Sequence, residues 1–182
     1  MKAAFLAFDQ CALWQVGLLQ LSLRECGWFI RTLSLGGQPV TTDGGVRLQA
    51  DDAMDRAAPR DYQLLFIAGG QIDPIIAADS RIKRFLRQYD STGQLIAAIG
   101  PSIQLLAVAG LLGGLRVAVE SHIAEGYPAE FGHSILDDAD TAKDGNIITA
   151  REGAFTEWTM DICEHLKCKP SKNLQDFALR FR

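Results

Sequence analysis

Residues 95–112 read LIAAIGPSIQLLAVAGLL. The apolar run 95–99 has no polar interruption, the signature of a strand buried on both faces. A Gly-Pro pair follows, and beyond it apolar residues recur at helical spacing until Gly110 stops them. A strand that turns at once into a helix lifts its turning residue above the sheet edge, and such turns often present a nucleophile. Here the turning residue is Gly100, which has no side chain to react with. Glycine adopts positive φ freely, and proline suits the first helical position, where an N–H is dispensable. The stretch reads as an elbow that keeps its bend and carries nothing at its tip.

The same alternation runs outward in both directions. KAAFLAF at 2–8, WFIRTLSL at 28–35 and YQLLFIAGG at 62–70 are further strand patterns, with LRVAVE and NIITA as later ones. Between them, Ala12, Val16, Leu19, Leu23 and Cys26 recur at helical spacing and end at Gly27, and Ile82, Phe85, Leu86 and Tyr89 form a second amphipathic set closed by Gly93. A further helix is expected over 152–166, with Phe155, Trp158, Ile162 and Leu166 on one face. Asp43-Gly44-Gly45 between β-branched residues suggests a small hairpin. Apolar strands alternating with such helices define an α/β class, a doubly wound, mostly parallel sheet sandwiched by helices. Ligands in such folds sit beyond the carboxyl ends of the strands, so loops 8–13, 69–74, 99–102 and 120–123 are the ones to watch.

A chain of 182 residues is long enough to bury one sizeable core without staples. The formal net charge of −4 offers no field attractive to nucleic acid or to an anionic membrane surface, so neither is expected as a partner. No apolar run approaches the ~18 residues of a transmembrane helix, and the apolar start is too short for a signal peptide. The expectation is a cytoplasmic protein. Cys11, Cys26, Cys163 and Cys168 show no CxxC spacing and are expected to be free thiols. His122, His133 and His165 have no ligand spacing, so no metal and no cofactor is expected.

The ordered set FLAFDQ, GGQPVTTDGGV, DYQLLFIAGG, LIAAIGPSIQLLAVAGLL and DGNIITAREG resembles the ThiJ/PfpI family, the Parkinsonism-associated deglycase group of the class I glutamine-amidotransferase-like superfamily. The resemblance implies a flavodoxin-like domain over 1–169, a tail over 170–182 outside it, and a homodimer. It also implies a cysteine at the elbow tip, a glutamate from the first helix beside it and, in many members, a histidine after the elbow helix. Ungapped spacing carries those positions onto Gly100, Gln15 and Glu120. All three depart from the pattern. Glycine supplies no sulfur, glutamine takes up no proton near neutral pH, and a carboxylate is no imidazole. An oxyanion hole at such an elbow commonly uses the N–H of the next residue, and Pro101 has none.

The expectation is a catalytically silent relative that binds a small polar or anionic molecule, or serves as a dimeric interaction module. Gln15, Gly69, Gly70, Gly100, Pro101, Ser102 and Glu120 are the candidate ligand-binding residues. The alternative is a hydrolase, lyase or amidotransferase-like enzyme acting on a small carbonyl or amide compound through a displaced nucleophile, Cys11, or through Glu120 with a bound water. Ser102 lacks a recognisable base, Trp14 is read as core or subunit contact, and Trp158 as core. The tail past Pro170 is read as a short helix packing through Phe177, Leu179 and Phe181 on its own domain or on a partner.

Overall fold

A computed structural model describes residues 1–180; Phe181, one of the expected tail contacts, lies outside the described residues. The chain opens with β1 (Lys2–Leu6) and α1 (Leu13–Glu25). Gly27, at φ +75°, then turns the backbone out of α1. The Gly27 N–H donates to Arg24 O and the Trp28 N–H to Leu23 O, which satisfies carbonyls the helix end would leave bare. Next come β2 (Phe29–Ser34), the hairpin β3 (Val40–Thr41) and β4 (Arg47–Leu48), the short β5 (Asp52–Ala53) and β6 (Leu64–Ile67). Two short-loop helices follow, α2 (Pro74–Ala78) and α3 (Ser80–Asp90), capped by the Asp73 and Asp79 carboxylates, which accept from the N–H groups of Ile75 and Arg81. The elbow joins β7 (Leu95–Ile99) to α4 (Ile103–Val108). Beyond it lie β8 (Arg116–Ala118), α5 (Ser121–Gly126), α6 (Pro128–Phe131), β9 (Ile135–Asp137), β10 (Thr141–Asp144), β11 (Ile147–Ala150), α7 (Phe155–His165) and α8 (Lys172–Leu179).

Seven strands form the central sheet in the order β10-β11-β7-β6-β1-β2-β5, all parallel except the edge strand β10. The winding reverses at β1, since β2 lies on one side of it and β6 on the other. Right-handed crossovers in opposite directions put their helices on opposite faces. Accordingly α1 packs with α7, while α3 packs with α4. The apolar runs read from the sequence are the core: 64–67 and 95–99 are buried along their whole length.

Three details differ from the sequence reading. The LRVAVE strand does not join the central sheet; β8 pairs with β9 in a separate two-stranded ribbon and meets β11 through a hydrogen bond from the Ala118 N–H to Thr149 Oγ1, 3.0 Å. Trp14 is not core, being 52% exposed with its indole N–H on Asp43 Oδ2, whereas Trp158 is fully buried as expected. The expectation of four free thiols is corrected: Cys26 and Cys168 form a disulfide with Cα atoms 5.8 Å apart, leaving Cys11 and Cys163 as the free cysteines. The pair is separated by 142 residues, so local spacing carries no trace of it.

Phe5 and Phe66 stack across adjacent strands with ring centroids 5.1 Å apart and no exposed surface. Phe5→Ala should lower stability by about 3–5 kcal/mol in urea unfolding. Phe29→Ala, removing a ring that is 69% exposed one strand away, should stay within about 0.5 kcal/mol.

Candidate functional site

The carboxyl ends of β1, β6, β7 and β11 meet at one edge, and the elbow stands there. Gly100 has φ +58°, a left-handed conformation that costs any residue with a Cβ. Ser102 pins the bend from inside. Its Oγ accepts the Ile99 N–H at 3.1 Å and has Ile99 O at 2.9 Å and Ile67 O at 3.1 Å as acceptors for its single proton. Ser102 is therefore a fully buried staple between β6 and β7, committed to backbone groups.

Gln15 reaches the same edge from α1 and is fully buried. Its Oε1 accepts the Gly69 N–H at 2.8 Å, and its Nε2 donates to Glu152 O at 3.3 Å. Gly69 could be nothing else: a Cβ there would lie 2.7 Å from Gln15 Oε1 and 2.9 Å from Ile99 O. Gly70 lies opposite Cys11 in an isolated antiparallel bridge, and the Ala12 N–H donates to Gly69 O at 3.0 Å. Loops 8–13 and 69–74 are thus stitched together over the point where the winding reverses.

Glu152, in the loop after β11, is the residue the sequence reading missed. Its backbone N–H donates to Glu120 Oε1, while its carbonyl receives Gln15 Nε2. A Cβ on Gly100 would sit 3.3 Å from the Cβ of Glu152, so this residue lies directly against the bare tip. Glu152 thereby gathers Gln15, Gly100 and Glu120 into one cluster. The signals available for it were its place just past a strand end, in a loop not among the four singled out, and its presence in the DGNIITAREG stretch. Glu120 keeps one oxygen uncommitted: Oε2 is buried and has no hydrogen-bond partner among the described residues.

Cys11 lies at the crevice but is fully buried. Burial pushes its thiol pKa up, the Asp43 and Asp9 carboxylates push the same way, and hydrogen bonding to the Phe8 backbone only partly opposes them. Such a thiol holds little thiolate, the opposite of an activated nucleophile. Among the described residues no group of three or more His, Cys, Asp or Glu could hold a metal ion, and no helix is long and apolar enough to cross a membrane.

Fold and edge together define a flavodoxin-like α/β protein with a strand-end elbow. The model of the DJ-1/PfpI family matches residues 1–165, and the chain belongs to that family. It is 29% identical over 154 residues to protein dj-1beta of Drosophila melanogaster, covering 81% of this chain and 79% of that one. The crystal structure of the DJ-1 superfamily protein Atu0886 from Agrobacterium tumefaciens superposes with a TM-score of 0.88 at 24% identity, covering all of both chains. The HTH-type transcriptional regulator CdhR of Pseudomonas aeruginosa is 28% identical over 99 residues, which is 54% of this chain and 29% of the regulator.

Ser102→Ala removes the acceptor of a buried N–H and should cost about 1–3 kcal/mol by chemical denaturation. Cys11 and Cys163 should resist alkylation in the folded protein. Burial pushes Cys163 up to about 11, so neither thiol offers much thiolate at neutral pH. Iodoacetamide labelling followed by mass spectrometry should be at least about tenfold slower at both than in urea.

Proposed function

We propose that this DJ-1/PfpI protein is catalytically silent and acts by binding a small polar molecule at the elbow edge. One observation carries this reading: the backbone and Cβ of Glu152 pack against a glycine at the position where the resemblance implies a nucleophilic cysteine. Behind that contact, both polar ends of Gln15 are committed to backbone partners, so it relays no proton. Pro101 offers no N–H to a developing oxyanion. The family's chemistry needs a thiolate, and the thiol at the crevice, Cys11, is buried with its pKa raised.

The ligand class follows from what the edge still lacks. Gly70, Pro101 and Glu120 are half-buried and reachable, while Gln15, Gly69, Gly100 and Ser102 form the wall behind them. A turn of the half-buried Glu120 side chain would present its buried, unpartnered Oε2 to a donor. A small molecule bearing an amine, amidine or hydroxyl supplies one, whereas an anion would be repelled. A second reading, the homodimeric module, is favoured by Trp14 and Leu21 of α1, each 52% exposed; light scattering with Leu21→Glu as the dissociating variant tests it.

Purified protein should show no turnover of methylglyoxal, simple amides or casein. A panel of small amines and polyols should contain members that raise the melting temperature, and Glu120→Gln should abolish that rise. Robust turnover that disappears in Cys11→Ala would overturn the proposal, as would stabilisation that survives in Glu120→Gln.

A further inference from the structure

The last helix rests on α7 with little of its surface buried. Of α8 (Lys172–Leu179), Ala178 is the residue buried, while Phe177 and Leu179 remain 48% and 56% exposed. An isolated helix this short is well below the ~12–15 residues that hold together in water. The segment entering it is fixed at two points on the end of α1. Ser171 donates its N–H to Glu25 Oε2 at 2.7 Å and its hydroxyl to Glu25 Oε1 at 3.2 Å. Immediately beside that pair, Cys168 is bonded to Cys26, the C-cap residue of α1. Between α8 and α1 lies an apolar groove of about 530 Å³, lined by Trp14, Leu18, Leu21, Phe155, Leu174 and Phe177.

The two sulfurs are not equivalent. Cys26 is half-buried and Cys168 is 6% exposed. Cys168 Sγ lies 3.6 Å from Ser22 O, a carbonyl that a disulfide sulfur cannot bond but a thiol can. The reduced state therefore has an acceptor already in place.

We propose that Cys26–Cys168 is a reversible thiol-exchange site and that α8 is a strap released when the bond is reduced. A small thiolate attacks the more accessible Cys26 Sγ; the S–S bond breaks, and the electron pair leaves on Cys168, which takes up a proton and donates to Ser22 O. A second thiolate attacks the mixed disulfide on Cys26, giving the Cys26 thiol and one small-molecule disulfide. That same disulfide, by the reverse exchange, recloses the strap. The reductant is thus a low-molecular-weight thiol, and no other co-reactant is needed. The device is independent of the elbow and stands or falls apart from the silent-binder reading.

The test compares the full-length protein oxidised with diamide against the same protein reduced with dithiothreitol. Amide hydrogen exchange of 173–179 should quicken at least tenfold on reduction, with 156–163 in α7 unchanged. Iodoacetamide should label Cys26 and Cys168 only after reduction. Cys26→Ser and Cys168→Ser should each show the fast exchange without reductant, although the wild-type comparison needs neither variant to fold. Unchanged exchange in protein whose Cys26 and Cys168 are demonstrably reduced would overturn the strap. Labelling of both cysteines after diamide treatment would overturn the exchange site itself.

Discussion

One buried carboxamide holds the elbow edge together. Gln15 takes the Gly69 N–H on one side and gives its own N–H to Glu152 O on the other, tying the first helix to the ends of β6 and β11. A carboxamide fits both partners, as a protonated carboxylic acid would and an ionised one would not. An ionised glutamate in its place would satisfy Gly69 but set a bare carboxylate oxygen against a carbonyl oxygen, where no proton lies between them. Glu152 is an exposed residue and its bond to Gln15 is only partly buried, so losing that donor would cost about 0.5–1.5 kcal/mol. The position of the 151–153 loop and the identity of residue 15 are therefore one decision.

The same logic extends to the other end of the Glu152 peptide. Its N–H is taken by Glu120 Oε1, a bond a carboxylate accepts and a protonated imidazole cannot. Its Cβ occupies the space against Gly100, which a larger residue would contest. Gln15, Gly100 and Glu120 are far apart in sequence, yet each matches one face of a single residue. The three form a coherent set, each making room for or bonding to Glu152. Beside that set, two buried side-chain atoms, Glu120 Oε2 and Arg151 Nε, have no hydrogen-bond partner among the described residues.

Much of this was legible in the sequence, and what was not shares a physical cause. Strands buried on both faces announce themselves as unbroken apolar runs, so β1, β6 and β7 were readable, as was the glycine stop after α1. The bend at Gly100 followed from Gly-Pro chemistry. Contacts made by long-range pairing were hidden. Glu152 meets Gln15 only because β11 lies beside β7 in a register that sets Ala150 opposite Ile99. The Cys26–Cys168 bond depends on α7 lying along α1, which brings the chain after His165 back to the end of the first helix. The exposure of Trp14 was hidden for a related reason: its indole leaves the core to reach Asp43 in the hairpin loop.

A glycine at the elbow also changes what the bend costs. A side-chain-bearing residue held at positive φ stores on the order of 1–2 kcal/mol, strain that a reactive site keeps because it aims the nucleophile. With Gly100 there, that strain is gone, yet the geometry persists because Ser102 and Pro101 hold it: Ser102 by bonding both strands, Pro101 by fixing its own φ for the helix start. A bend freed of strain and kept by dedicated residues is under structural constraint for its own sake. It fixes how the ends of β7 and β11 meet, and so the contact of Glu152 with Gly100 and the hydrogen bond of the Glu152 N–H to Glu120.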